Sequence, residues 1–237
     1  MTMQSRPHRS ATRLRGLLAG AALLLAAAPV LAGETLKPLT ADYQASYMGM
    51  EADGQMKLTS VGENRWRYSL DISNALANLS QSTVFEVRDG KWWPITGSDA
   101  STVLVKQEQR KASYDWNSRT ARWTGDVKPE RAGPVKLQPG DMDALMVNLA
   151  LARDLAAGKP LEYRLVDNGR IKQLEYEVAG EETITIAGQP RQATKLVSTN
   201  GDRQTIVWVV DGMPVPARIQ QRKDGKATID LRVQSVN

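Results

Sequence analysis

Cysteine is absent from this 237-residue chain, and its single histidine, His8, lies near the start. No thiol means no disulfide and no cysteine nucleophile, and no histidine beyond residue 8 removes the commonest general base and metal ligand. Phenylalanine is nearly missing too: Phe85 stands alone, so six Trp and six Tyr carry the aromatic volume. No phosphate-cradling glycine loop or dinucleotide fingerprint appears, and no repeat of fixed period. Oxygen ligands suit calcium or magnesium, yet the Asp141-x-Asp143 pair lacks the further ligands and the glycine of a calcium loop. No cofactor and no metal are expected, and no catalytic residue is assigned.

What is present begins with a leader. Arg6, Arg9, Arg13 and Arg15 precede an apolar run from Leu17 to Leu31 that contains no acidic residue. This is the pattern of a cleaved signal peptide, with small or compact residues at Val30 and Ala32 placing the cut after Ala32. The run is shorter than the roughly 20 residues of a membrane span, and without cysteine no lipid anchor can be attached. The expected product, 33–237, is a single periplasmic domain that is neither a lipoprotein nor membrane-spanning. Its charge follows: the whole chain carries 31 basic and 26 acidic groups, and removing the four leader arginines leaves 27 against 26. A near-neutral body gives no support to a nucleic-acid partner.

From Leu39 onward, alternation dominates, as in strands with one buried face. Trp66, Tyr68, Leu70 and Ile72 oppose Arg65, Arg67, Ser69 and Asp71; Leu174, Tyr176 and Val178 oppose Gln173, Glu175 and Glu177. Turn chemistry falls at Ala52-Asp53-Gly54, Asp89-Gly90, Asn168-Gly169 and Asp224-Gly225, where positive φ angles of tight hairpins are expected. The fold class is mainly β: a single antiparallel curved sheet or incomplete barrel. One segment departs from it. Met142, Leu145, Met146, Leu149 and Ala152 share a helical face, Asp141 or Asp143 can cap its start, and Gly158 and Pro160 stop it. A helix near 141–156 is expected to cover the sheet.

The opening Tyr43-x-Ala45-x-Tyr47 strand, Asp89-Gly90-Lys91-Trp92-Trp93-Pro94, the Asp141-x-Asp143-Ala144-Leu145 helix start and the Trp208…Asp211-x-x-x-x-Pro216 segment stand in this order. Together they resemble domain-of-unknown-function family 3108, exported bacterial proteins of no established activity. The resemblance covers nearly all of the chain after the leader, and implies an envelope location and a β-rich fold with one helix. Ile95 and Thr96 depart from the aromatic that commonly follows the first turn proline in that family. At the level of fold, the expected sheet also resembles those of periplasmic lipoprotein carriers.

The ligand-binding candidates are aromatic and sulfur side chains: Trp66, Tyr68, Trp92, Trp93, Trp116, Trp123, Met142 and Met146. Inside an incomplete barrel they could enclose an acyl chain; the alternative is ordinary core filling. Trp92 and Trp93 cannot both face one core, because neighbours on a strand point opposite ways. The functional expectation is a non-enzymatic periplasmic protein binding a lipid or other amphiphile inside the sheet. Two alternatives remain: an envelope glycan hydrolase or lyase using carboxylates, and a module that docks an envelope protein. An apolar cavity would favour the first reading, convergent carboxylates in a cleft the second, and a filled interior with an exposed apolar patch the third.

Overall fold

The computed structural model describes residues 36–47 and 49–237. The expected leader and its expected cleavage site lie outside them. Among the described residues, fifteen strands and one α-helix follow in chain order: β1 (Leu39–Tyr47), β2 (Met50–Gly62), β3 (Arg65–Ser73), β4 (Ala77–Arg88), β5 (Lys91–Val103), β6 (Lys106–Asp115), β7 (Thr120–Gly125), β8 (Val135–Lys136), α1 (Ala144–Ala156), β9 (Glu162–Asp167), β10 (Arg170–Glu175), β11 (Glu177–Ile186), β12 (Gln189–Asn200), β13 (Arg203–Val209), β14 (Arg218–Lys223) and β15 (Lys226–Val236). Thirteen of the strands form one antiparallel sheet in the order β11-β12-β13-β14-β15-β1-β2-β3-β4-β5-β6-β7-β8, and β9 and β10 form a separate hairpin. The sheet is not closed into a barrel.

The chain therefore enters mid-sheet at β1 and meanders to the β8 edge. It then leaves the sheet through α1 and the β9–β10 hairpin, and returns from the β11 edge to lay β15 beside β1. Register shifts at Asp42/Tyr43, Ser60/Gly62 and Val84/Phe85 mark bulges, which bend strands and help a wide sheet to curl. The open edges are blunted. β8 is two residues long, and β11 is exposed and carries Glu177, Glu181 and Glu182, devices that discourage edge-to-edge pairing.

The alternation read from sequence settles which face is inner. Tyr43, Met56, Leu58, Tyr68, Leu70 and Phe85 are buried in the main core with α1 and with Tyr163 and Leu165 of β9. A second cluster joins Tyr114, Ala121, Trp123, Leu137 and Val166. Asp143, one of the two expected caps, is the N-cap of α1, accepting from the Met146 amide at 2.8 Å, but Met142, expected on the helical face, precedes the helix and forms a bridge with Leu165. The Asn168-Gly169 and Asp224-Gly225 turns also adopt the expected positive φ angles.

Two local readings are corrected. Ala52-Asp53-Gly54 is no turn but lies inside β2, where Gly54 sits opposite Tyr43. A Cβ on Gly54 would meet the Tyr43 Cβ at 3.3 Å, so this glycine makes room for an aromatic cross-strand neighbour. Leu174, Tyr176 and Val178 do not share one strand either. The chain turns at Tyr176, which is buried in the core while β10 and β11 diverge into different sheets.

The middle of β15 is held by charge. Asp230, 8% exposed, receives both Arg218 (2.6 Å) and Arg232 (2.8 Å). Replacing Asp230 with Ala should cost about 2 kcal/mol in urea unfolding, because two guanidinium groups lose their acceptor. An unchanged midpoint would show that water already shields both arginines.

Candidate functional site

Alternation separates the tryptophan pair as the sequence requires. Trp92 turns inward, buried beside Phe85 with ring centroids 5.3 Å apart. The Arg153 guanidinium lies 3.9 Å from its ring centre and forks onto Asp154 at 2.7 and 2.8 Å. Tyr163 donates to the same carboxylate. Trp93 faces the other way and meets Trp116 edge to face at 4.6 Å, with its indole N–H buried and unpartnered. Trp116 donates to the Pro94 carbonyl. Of the remaining candidates, Tyr68, Met142 and Met146 join the main core, Trp66 packs at its margin, and Trp123 belongs to the second cluster. The eight residues are thus divided among two cores and the Trp93–Trp116 contact rather than gathered around one chamber. The inner face is occupied by α1, whose Leu145, Met146, Val147, Leu149, Ala150, Leu151 and Ala152 are all buried.

Beside the start of α1, β5, the helix N-cap and the end of β9 bring carboxylates together. Asp99, Asp143 and Asp167 line a cavity of about 60 Å³ with Arg110 and Tyr114. Burial pushes Asp143 up to about 6, against the bonds it accepts from Thr83 and the Met146 amide. Burial and the nearby Asp99 carboxylate also raise Asp167. The space is far smaller than the roughly 300–1,000 Å³ of ligand sites. Two of its three acids are also engaged: Asp143 caps α1 and accepts from Thr83, while Asp99 accepts from Gln81 at 3.0 Å. Asp141, the other member of the sequence pair, binds Arg164 and the Gln138 amide. Among the described residues no group of three or more His, Cys, Asp or Glu is placed to hold a metal ion.

Sequence reasoning missed two surfaces. The first is a rim made by three consecutive turns at one end of the sheet. Tyr47 and Met50 flank the β1–β2 turn, Leu76 lies in the β3–β4 turn, and Val103, Leu104 and Val105 form the β5–β6 turn; all six are exposed, Leu104 by 70% and Val105 by 96%. The turns are tied together. Asn74 donates to the Glu51 carbonyl, and the Leu104 amide donates to the Leu76 carbonyl. At the opposite end of the same strands the turns read Glu63-Asn64, Asp89-Gly90 and Asn117-Ser118, the polar chemistry that solvated turns favour. Leu104 also adopts φ +55°, a conformation that Asn or Gly would take at lower cost. The signal was in the sequence as Val103-Leu104-Val105, an apolar run where a turn belongs.

The second surface is a seam between the β9–β10 hairpin and the main sheet. Arg131, Arg170, Lys172 and Arg203 line a cavity of about 330 Å³ with Leu165, Asp167 and Asn168. These residues come from a short 3-10 turn at Pro129–Arg131, the β9–β10 hairpin and the start of β13.

A family model described as a protein of unknown function, DUF3108, matches residues 42–232. Among solved structures the chain is similar to a β-barrel-like protein of domain of unknown function DUF1849 from Brucella abortus, with TM-score 0.50 and 11% identity, over 85% of this chain and 98% of that one. It is also similar to the Pseudomonas aeruginosa MucA/MucB complex, with TM-score 0.38 and 11% identity, over 84% of this chain and 51% of that one. No curated protein matches.

Proposed function

Because the chain belongs to the DUF3108 family of proteins of unknown function, we propose its role from its own geometry: a non-enzymatic periplasmic protein that engages an amphipathic, lipid-like envelope component. The contact is the apolar rim rather than the sheet interior. The observation that carries this reading is the pairing of a protein-filled inner face with exposed Leu76, Val103, Leu104 and Val105 on hydrogen-bonded neighbouring turns. Exposed apolar side chains gathered on one surface gain free energy only when something covers them. The leader supports the location, and the small size of the carboxylate cavity favours binding over hydrolysis.

Leu104→Asn together with Val105→Asn tests it. Losing two apolar contacts worth about 1.5 kcal/mol or more each should lower co-flotation with vesicles of envelope lipid by at least about tenfold. Stability should hold or rise, since Asn accepts the positive φ of residue 104. Native mass spectrometry of protein from the periplasm supplies the second readout, a co-purifying amphiphile. Flotation that ignores both substitutions would remove the rim from consideration. A protein that never floats and is isolated bare would favour docking of another protein.

A further inference from the structure

Exposed lysines and arginines are usually solvated and need no ligand. Four features set the group at the open seam apart. Arg131, Arg170, Lys172 and Arg203 reach one concavity from three separate chain segments. Arg170 and Lys172 are two apart on β10 and so point to the same side.

Among the described residues, the ion pairs and side-chain hydrogen bonds involve other cations, and these four have neither. Asp167 is the one acid in the lining. Four like charges drawn together around a single carboxylate still repel one another, and a bound anion relieves that repulsion.

The pocket is also braced. Gly169, at φ +67°, lies directly against the backbone of Arg131, so the hairpin turn and the 3-10 turn are packed in direct contact. Arginine forks match the oxygens of phosphate in pairs. Four cations against one carboxylate favour a dianion over a monovalent carboxylate. A cavity of about 330 Å³ is at the small end of ligand sites, sufficient for a phosphate group and a short substituent.

We propose that the seam pocket formed by Arg131, Arg170, Lys172 and Arg203 is a binding site for a phosphate monoester. Such a group comes either from a lipid head group or from a soluble ester. The pocket stands whether or not the rim meets lipid.

Calorimetry on the exported protein with glycerol 3-phosphate, and with acetate as control, tests the chemistry. Vesicles of phosphatidylcholine with and without phosphatidic acid test the source. Arg170→Ser with Lys172→Ser changes two exposed side chains, and Lys91→Ser with Lys111→Ser removes equal charge elsewhere; matching melting curves establish that both variants fold.

Glycerol 3-phosphate should bind and acetate should not, and the seam variant should weaken binding by at least about tenfold while the control variant leaves it unchanged. Seam-dependent capture by phosphatidic acid vesicles identifies a lipid source; binding of the soluble ester alone identifies a soluble one. Equal binding of phosphate ester and acetate, or a seam variant that binds like the parent, overturns the proposal. Flotation lost through the rim substitutions but indifferent to the seam substitutions, with no ester bound, refutes the pocket and leaves the rim reading intact.

Discussion

Gly169→Ala should unfold the seam and lower the stability of the whole protein by about 4 kcal/mol or more. Two costs add. A residue with a side chain at φ +67° loses about 1 kcal/mol against glycine. Its Cβ would also fall inside the Arg131 carbonyl oxygen and 2.6 Å from the carbonyl carbon, a collision with backbone that no rotamer relieves. The hairpin must then lift from the 3-10 turn, which uncovers the cluster around Val166, Leu137 and Trp123. Opening a packed cluster of this kind costs several kcal/mol. Gly90→Ala is the matched control: φ is +70°, yet nothing lies within 4 Å of the position its new methyl group would take, so only the backbone cost of about 1 kcal/mol applies. Urea unfolding of the two variants side by side measures the difference. Equal midpoints would mean that the Arg131 contact yields freely.

Asp143→Asn should reshape the pH profile of stability. Burial raises the Asp143 carboxyl from its ordinary 3.8 to about 6, so the folded protein holds a proton that the unfolded chain releases. The associated stabilisation is complete below about pH 4 and disappears as pH climbs through about 6. At about 1.4 kcal/mol per unit, the full swing is about 3 kcal/mol. Asparagine caps a helix about as well as aspartate and cannot ionise. The variant should therefore lack this loss and exceed the parent in stability above pH 6. Comparing the two proteins in urea from pH 4 to pH 8 isolates Asp143 from Asp167, whose carboxyl is raised in the same direction. A parent and variant with parallel profiles would place the titration elsewhere.

Much of this was legible locally. Period-two alternation identified the inner residues of β3, the helix and its Asp143 cap followed from spacing, and Asn-Gly and Asp-Gly marked hairpins whose φ angles agree. Gly54 misled because a glycine opposite a tyrosine looks in sequence like a glycine in a turn. Tyr176 misled because a corner between sheets can preserve alternation on both sides. The seam was illegible for a different reason. Arg131 and Arg203 are neighbours only because opposite halves of a thirteen-strand order approach one hairpin, and nothing local to either residue encodes that. The rim was written plainly as Val103-Leu104-Val105, but its meaning required knowing that Leu76 and Tyr47 sit on adjacent turns.

The ladder between β1 and β15 has a kinetic corollary. Asp42 and Ser235 bond across it at 2.7 Å although they are 193 residues apart in sequence. Each half of the sheet grows by neighbouring hairpins that close short loops, whereas the β1–β15 junction waits until nearly the entire domain has been supplied. Distant pairings are slow to form because chain entropy is lost before contacts compensate. Until the junction zips, β1 offers a bare edge in what will become the middle of the sheet, and that interval is when the nascent molecule is most exposed to capture by chaperones or by its own copies.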